Sequence, residues 1–277
     1  TSNINNDELY KQFQQKIKRI YANIKDKLAI KFLGITGVTR LKDVEIFSIG
    51  SDIKDITNYS PYSQMIGFTR DEIKKYYIDY LKLAASYENN CNVDNVTEAQ
   101  IESLLDRLAK NYDGYCFDEF YKKKVFSTWS VNKFFQSVVS NKFVYFGEYW
   151  YDNGGLPSIL VNYLKTHELN IFDYLDKNKS LKVTDDDFKN PTSLTTINQN
   201  VLMCQTGYLT LRSALTSGDL TVDLGIPNGE IYKALNRLLA INFYKEGIYA
   251  LAKGVRDLLD AGDIEDIIDR FNSVINS

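Results

Sequence analysis

A chain of 277 residues with 44% hydrophobic and 25% charged residues has the composition of an ordinary globular protein and is long enough for two or three small domains. Its net charge of −3 argues against a broad nucleic-acid-binding face, although it leaves room for a local basic patch. Three widely separated cysteines fit neither a disulfide framework nor a CxxC metal site, and no apolar run approaches the ~20 residues of a membrane span. We therefore expect a soluble, cytoplasmic protein with reduced thiols and no membrane partner.

The first predicted elements are a helix and a short strand. Residues 7–28 place apolar side chains at helical spacing with Lys and Gln between them, which predicts a surface helix with one buried face. Residues 29–35 form a short apolar run followed by Gly-Val-Thr, which favours a buried strand. A helix followed by a strand is half of an α/β repeat, but the later sequence offers no obvious partner strands.

The middle of the chain predicts a helical subdomain. Residues 69–72 and 97–100 are capping boxes, in which two side chains satisfy each other's backbone donors at the start of a helix. Ser127 or Thr128 is expected to cap a third helix, and the Gly-Gly-Leu-Pro sequence at 154–157 suits the first turn of a fourth. These elements together predict a bundle of short helices.

The pattern changes beyond residue 181. A helix around 195–205, strands at 207–211 and 220–224 and a second helix at 230–239 predict a winged-helix-like module. The segment from about 247 to 277 is predicted to be helical and acidic. The fold class is therefore predicted as mainly α with minor β.

Three apparent sites favour structural explanations. Glu72 belongs to a Glu-Ile-Lys triplet of the kind that nucleases use to hold Mg²⁺, but its place in a capping box favours a capping role. The acidic run at 185–187 lacks the spaced ligands and glycine of a calcium loop and is predicted to be a solvated turn. His167 is the sole histidine and has no evident Ser or Cys partner, so a catalytic triad is not expected. The sequence predicts no metal ligands and no catalytic residues.

Two glycines are predicted to follow helix ends. The Tyr-Asp-Gly-Tyr sequence at 112–115 either contacts a partner domain or ends a helix with Gly114 in a left-handed conformation, and we favour the helix end. Gly207 is predicted to play the same role, with Tyr208 filling the base of the wing.

Eight motifs follow one another between about residues 30 and 240: GITGVTR (34–40), IFSIGSDIKDIT (46–57), IGFTRDEI (66–73), NYDGYCF (111–117), FSTWSVNKFF (126–135), YWYDNGGLPSILVNYL (149–164), LMCQTGYLTLR (202–212) and VDLGIPNGEIYKAL (222–235). Together and in this order they resemble a family of bacterial AAA-ATPase-like proteins. Members of that family usually have a PD-(D/E)xK nuclease-like domain at the C-terminus.

The resemblance also implies what this chain lacks. In the family, a P-loop and an acidic Walker B strand lie upstream of the TGVTR strand, but no GxxxxGK(S/T) occurs here. We therefore expect only the C-terminal part of an ATPase module. Its predicted parts are a remnant of the α/β ATPase core at 1–64, a helical lid subdomain at 65–168, a winged-helix-like subdomain at 169–246, and a helical linker at 247–277 toward a missing C-terminal domain.

The family stands near the STAND-type ATPases, and this resemblance implies a small nucleotide-binding set. Arg40, preceded by Thr39, ends the TGVTR strand where related ATPases place a sensor arginine facing the γ-phosphate, a task that suits a permanently charged guanidinium. Pro157, with Gly155, matches the glycine–proline element beside the adenine in such lids. The structural alternatives are a solvated strand-end charge and an ordinary first-turn proline. ATP and Mg²⁺ are expected only for a complete family member and not for this chain alone.

Three functions are left open by the sequence. The first is a nucleotide-responsive regulatory switch, inactive as an ATPase without a P-loop half. The second is a stand-alone protein-interaction module derived from such an ATPase. The third is a winged-helix DNA binder, but the helix at 230–239 offers only Lys233 and Arg237 as cations, so nucleic acid is not expected as a partner. The expected partners are the P-loop half, another protein or a second copy of the chain.

Overall fold

The fold is described from a computed structural model. It describes residues 31–37, 40, 54–152, 158–164, 167, 173–191, 196–215, 218 and 220–243, together with residues 12, 15–17, 19–20 and 22–23, which are helical as predicted. The chain divides into two compact units, Thr1–Leu235 and Asn236–Ser277, and the second is described only as far as Phe243. The helix predicted over 247–277 lies outside the described residues.

The middle of the first unit contains a bundle of helices. Short 3₁₀ turns at Ser60–Tyr62 and Val93–Asn95 accompany four α-helices: α1 (Arg70–Tyr76), α2 (Ile78–Asn89), α3 (Glu98–Tyr112) and α4 (Thr128–Asn141). Both predicted capping boxes are present, with Thr69 and Thr97 as the N-cap residues of α1 and α3. Ser127 is the N-cap of α4, where its hydroxyl accepts from the backbone N–H of Ser130. The helix starts are therefore fixed by local hydrogen bonds, as the sequence predicts.

The core of this bundle is apolar and aromatic. Helix α2 packs against both α3 and α4. The helical spacing of the apolar residues directs one face of each helix inward. The buried members of the cluster are Ile73, Leu81, Ala84, Ala85, Ile101, Leu104, Leu105, Leu108, Tyr112, Phe126, Val131, Phe134, Phe135 and Val138.

The second half of the described chain combines short helices with a small sheet. Its elements are α5 (Tyr149–Asp152), α6 (Ser158–Leu164), β1 (Leu181–Thr184), α7 (Asp185–Lys189), α8 (Gln199–Gln205), β2 (Thr210–Leu211), β3 (Thr221–Gly225) and α9 (Gly229–Phe243). The strands are antiparallel in the order β1-β3-β2, with Leu181 opposite Leu224 and Thr210 opposite Gly225. The fold is mainly α with minor β, as predicted.

Two local features of this half differ from the predictions. Strand β1 was not expected as a strand, although its alternation of buried and exposed residues matches the period of a half-buried strand. The acidic run at 185–187 is the first turn of α7 rather than a solvated turn, because the Thr184 side chain accepts from Asp187 N. Acidic residues are favourable there, since they face the positive end of the helix dipole.

The predicted strand before Arg40 is not formed. Residues 32–37 have no regular secondary structure, and Phe32, Leu33 and Ile35 are 87%, 44% and 44% exposed. A buried strand requires a neighbouring strand to satisfy its backbone groups. In the described part of the chain, β1, β2 and β3 pair only with one another. The described residues of this run therefore form no strand, and three of their apolar side chains are exposed.

Two predictions from composition can also be compared with the structure. All three cysteines are free thiols, and Cys116 is buried. Burial raises the pKa of the Cys204 thiol to about 12, which keeps it protonated at neutral pH. Across the residues that the structure describes, no helix combines the length and the apolarity needed to cross a membrane.

Candidate functional site

Arg40 is the member of the predicted nucleotide-binding set that the structure describes. Thr39, Gly155 and Pro157 lie outside the described residues. The backbone of Arg40 forms two hydrogen bonds with one side chain of α8. Arg40 N donates to Gln205 Oε1 at 2.9 Å, and Gln205 Nε2 donates to Arg40 O at 3.0 Å. Arg40 is thereby attached to α8 across 165 residues of sequence.

The guanidinium of Arg40 forms an ion pair with Asp55. The distance from Arg40 Nε to Asp55 Oδ2 is 2.5 Å, and the arginine side chain is 26% exposed. Burial alone would raise the pKa of Asp55, but hydrogen bonds from Thr57 and the charge of Arg40 lower it below its usual value. Because a guanidinium has five donors, an arginine paired through Nε can still contact a second anion. Arg40 is thus oriented both by its backbone and by a fixed counter-ion.

Five of the eight motifs meet at one place in the first unit, which we call the junction. It comprises Tyr112–Tyr115, Ser130, Trp150, Gly207–Tyr208 and Pro227–Glu230. Tyr112–Tyr115 lie at the end of α3 and just after it, and Ser130 lies in α4. Gly207–Tyr208 and Pro227–Glu230 flank the small sheet. The motifs therefore meet where the two halves of the described chain join.

Close backbone approach defines one side of the junction. Gly114 follows the end of α3 with φ of +103°, and a Cβ atom added there would lie 2.3 Å from the carbonyl oxygen of Pro227. The neighbouring Asn228 donates from Nδ2 to Asp113 O at 2.9 Å and accepts at Oδ1 from Ile231 N at 3.0 Å. Gly114 has the predicted left-handed conformation, and it also permits a contact that a side chain would block.

Aromatic packing defines the other side. Gly207 follows the end of α8 with φ of +86°, as predicted, and a Cβ atom there would lie 3.3 Å from the Trp150 ring. The Trp150 and Tyr208 rings meet edge to face at 4.9 Å, and Tyr208 is fully buried. Tyr115 Oη donates to Gly207 O at 3.3 Å. The rings thus occupy the space that the glycine leaves open.

Glu230 is a buried carboxyl in the first turn of α9. Its residue is only 2% exposed. Oε2 accepts from Ser130 Oγ at 2.6 Å, and Oε1 accepts from Trp150 N at 2.8 Å. Burial raises the pKa of Glu230 to about 7, and the nearby charge of Glu148 adds to this, while the hydrogen bonds oppose it. Glu230 connects α4, α5 and α9 through one side chain.

The arrangement at the junction is suited to joining elements rather than to chemistry. A general acid or base must come within hydrogen-bond reach of a substrate. Both oxygens of Glu230 already accept from protein donors, and the group is shielded from solvent. Sequence analysis did not single out Glu230, because an acid after Pro-Asn-Gly at a helix start looks like an ordinary first-turn acid.

The other sequence candidates have structural roles in the described chain. Glu72 Oε2 accepts from Thr69 N at 2.8 Å, which confirms the capping role. The His167 ring stacks on Tyr163, with centroids 3.9 Å apart. No group of three or more His, Cys, Asp or Glu residues that could hold a metal ion occurs among the described residues.

If this part of the chain were a DNA-binding winged helix, its recognition helix would be α8 and not the predicted helix at 230–239. In helix-turn-helix proteins the second helix of the pair enters the major groove. The helix pair that precedes the β2–β3 hairpin is α7 and α8, so α8 and not α9 holds that position. The sequence of α8, QNVLMCQ, contains no Lys or Arg. Arg212, which directly follows β2, donates to the carbonyl oxygen of Ile226 in the same chain.

Comparison with known proteins gives one distant similarity. The chain is 24% identical over 266 residues to a protein of Azotobacter chroococcum mcd 1 described as an uncharacterized protein in the vnfD 5′ region. The alignment covers 94% of this chain but 45% of the relative, so the chain spans less than half of the relative's length. No protein-family model matches the chain. No solved structure matches it.

Proposed function

We propose that the chain is the lid and winged-helix part of an AAA-ATPase-like protein and acts in the cytoplasm as a nucleotide-responsive switch. ATP and Mg²⁺ would be bound only together with a P-loop segment, which this sequence does not contain. The proposal rests on one observation above all. Arg40, the candidate sensor of the γ-phosphate, is joined by two backbone hydrogen bonds to Gln205 of α8.

That attachment gives the proposed switch a physical route. A γ-phosphate near Arg40 would attract the guanidinium and weaken its pairing with Asp55. Displacement of the Arg40 backbone would move Gln205, the last residue of α8, which lies two residues before Gly207 of the junction. A ligand shifts a conformational equilibrium only through different affinities for the two states. Loss of the γ-phosphate contact after hydrolysis would supply that difference.

The exposed segment before Arg40 supports the same proposal. Phe32, Leu33 and Ile35 are exposed in a run whose sequence is typical of a buried strand. Exposed apolar runs of this kind mark surfaces that another segment covers. The similar Azotobacter protein is more than twice as long as the aligned region. A segment with an ATPase core sheet would bury the run by adding it as a strand.

The proposal is tested with a longer protein. The coding sequence that adjoins Thr1 should encode a P-loop, and the protein that includes it should hydrolyse ATP. In that protein, Arg40→Ala should lower kcat by about tenfold or more, since a phosphate-sensing arginine acts on the transition-state charge. Asp55→Asn, which breaks the same ion pair but keeps the guanidinium, should have a much smaller effect.

Two results would contradict the switch. Equal losses of activity for Arg40→Ala and Asp55→Asn would make Arg40 a structural ion-pair residue. An adjoining sequence without a P-loop would leave the second function, a protein-interaction module, which the exposed run at 32–35 also favours. On the present chain alone, titration calorimetry with ATP and Mg²⁺ should show no micromolar binding, and turnover by this chain would refute the need for a second segment.

A further inference from the structure

A loop between α3 and α4 contains three consecutive lysines, Lys122, Lys123 and Lys124. It runs from Asp118 to Lys124, next to the bridge between Tyr115 and Val125. Asp118 is fully buried, and its carboxylate accepts from the backbone N–H groups of Phe120 at 3.3 Å, Lys122 at 2.9 Å and Lys123 at 3.1 Å. Burial alone would raise the pKa of Asp118, but these hydrogen bonds hold it below its usual value. The loop is therefore fixed by a charged group beneath it.

Two aromatic rings, of Phe120 and Tyr121, precede these lysines and lie close to two of them. Lys122 Nζ lies 5.9 Å from the Phe120 ring centroid, and Lys124 Nζ lies 4.9 Å from that of Tyr121. Tyr121 has φ of +56°, which is uncommon for a residue with a large side chain. Phe120 is 45% exposed. The loop thus holds rings and ammonium groups together at the surface.

A second segment extends this face. Glu119 N donates to Asn58 O at 2.9 Å, and Lys123 Nζ donates to Ser60 O at 3.1 Å. These bonds place residues 58–60 beside the loop, where Lys54 Nζ lies 3.8 Å from the Tyr59 ring centroid. We call the combined face the aromatic–lysine surface: Lys54, Tyr59, Phe120, Tyr121, Lys122, Lys123 and Lys124.

The surface has a local excess of positive charge. Its four lysines outnumber the nearby carboxylates, which are Asp118 and Glu119 in the loop and Asp113, whose carboxyl interacts with the charge of Lys124. Asp55, which follows Lys54 in the chain, is paired with Arg40. Asp118 is buried under the loop, and Glu119 Oε1 accepts from Ser60 N at 3.3 Å. The carboxylates of Asp118 and Glu119 therefore both accept hydrogen bonds within the protein, whereas Lys122 and Lys124 are exposed. The net charge of −3 is a sum over the whole chain and therefore does not reveal this local positive patch.

We propose that the aromatic–lysine surface binds single-stranded nucleic acid. Proteins that bind single strands combine cations that contact phosphates with aromatic rings on which bases stack. The carboxylates of an acidic protein partner would pair with the lysines but would make no contact that requires the exposed Phe120 ring, whereas an unpaired base stacks on such a ring. A duplex would not present unstacked bases to the ring. This surface shares no residue with α8, although Lys54 directly precedes Asp55, the counter-ion of Arg40.

The test uses the whole chain and fluorescently labelled oligo(dT) and oligo(rU) of fifteen nucleotides. Fluorescence anisotropy should show binding with a dissociation constant of about 1–100 µM at low salt. The slope of log K against log salt should be about −2 if three lysines contact phosphates. Phe120→Ala combined with Lys122→Ala should weaken binding by about tenfold or more, because a stacking contact and a phosphate contact are both lost.

The chain offers a matched control. Lys75 Nζ lies 5.0 Å from the ring centroid of Tyr76, which is 67% exposed. Lys75→Ala combined with Tyr76→Ala removes the same charge and a similar ring from α1, and it should leave binding unchanged. Circular dichroism of both variants checks that they fold, and single Phe120→Ala separates the ring from the charge.

Four outcomes of the oligonucleotide experiments would overturn the proposal. They are no binding at low salt, equal weakening by the control variant, equal affinity for a duplex of the same length, and no effect of Phe120→Ala alone. Binding of a fluorescent polyglutamate peptide with the affinity of the oligonucleotides would assign the surface to acidic proteins instead, and it would also overturn the proposal.

Discussion

At the scale of single residues, glycines and one carboxylate decide how the junction is made. Gly114 and Gly207 both have positive φ, and both lie where another part of the chain approaches closely. Glu230 provides acceptors for a hydroxyl and a backbone N–H from two other helices. All three residues lie in motifs that carry the family resemblance, and in the structure they hold elements together.

Gly114→Ala should be strongly destabilising. The substitution forces a side chain into a left-handed conformation and also into the carbonyl oxygen of Pro227, 2.3 Å from the new Cβ. We expect the free energy of unfolding to fall by about 2–4 kcal/mol, measured by urea denaturation. Gly218→Ala is the control, because Gly218 has φ of +77° but open space around it, so it should cost only about 1 kcal/mol. Equal costs would show that the close contact is unimportant.

Glu230 should make stability depend on pH. Its pKa is about 7 in the folded chain against 4.5 for an ordinary exposed glutamate, so the unfolded chain loses this proton at a lower pH than the folded chain. The free energy of unfolding should therefore fall between about pH 4.5 and pH 7 and level off above, by about 3 kcal/mol from this group. Glu230→Gln removes that titration. Urea denaturation at pH 5 and pH 8 measures the free energy of unfolding of both proteins. The stability of Glu230→Gln relative to the wild type should be higher at pH 8 than at pH 5, and an equal difference at both pH values would contradict this.

At the scale of elements, helix starts are determined locally. The capping boxes at Thr69 and Thr97 and the cap at Ser127 need only residues three positions apart, so the sequence alone identified them. The acidic first turn of α7 uses the same chemistry, with Thr184 as the cap. It was missed because Thr184 also ends β1, whose partner β3 lies far along the chain.

Thr97→Ala should weaken the start of α3. It removes the acceptor for Gln100 N and the hydroxyl contact of the box, and we expect a loss of about 1 kcal/mol in the free energy of unfolding, measured by thermal denaturation. Thr97→Ser keeps the hydroxyl and should retain most of the stability. Gln100→Ala removes only the hydrogen bond from Thr97 N to Gln100 Oε1, and its stability should lie between those of the two Thr97 variants. A serine variant as unstable as the alanine variant would refute the capping explanation.

At the scale of the whole molecule, long-range contacts decide where Arg40 lies. The predicted boundaries at residues 64 and 168 remain predictions. Within the first unit, Gln205 holds the Arg40 backbone and Asp55 holds its side chain. Neither partner belongs to the motif that contains Arg40, so no local pattern predicts either contact.

Gln205→Ala should release the Arg40 backbone. Hydrogen exchange measured by mass spectrometry on the peptide that contains Arg40 should become roughly tenfold faster, because two hydrogen bonds are lost. Gln199→Ala is the control, since Gln199 is on the same helix but its amide donates to Tyr174 Oη. In Gln199→Ala, hydrogen exchange of the Arg40 peptide should match the wild type. Unchanged exchange of this peptide in Gln205→Ala would contradict the attachment that the proposed switch requires.

The sequence by itself determined the mainly α class, the capped starts of α1, α3 and α4, and the glycines after α3 and α8. All of these depend on interactions between residues within a few positions of one another. Only the tertiary structure decided that residues 32–37 are not a strand, that Glu230 is buried, and that a loop of lysines and aromatic rings is held above Asp118. Burial and strand pairing depend on partners far away in the chain, and a local pattern cannot specify which partner is present.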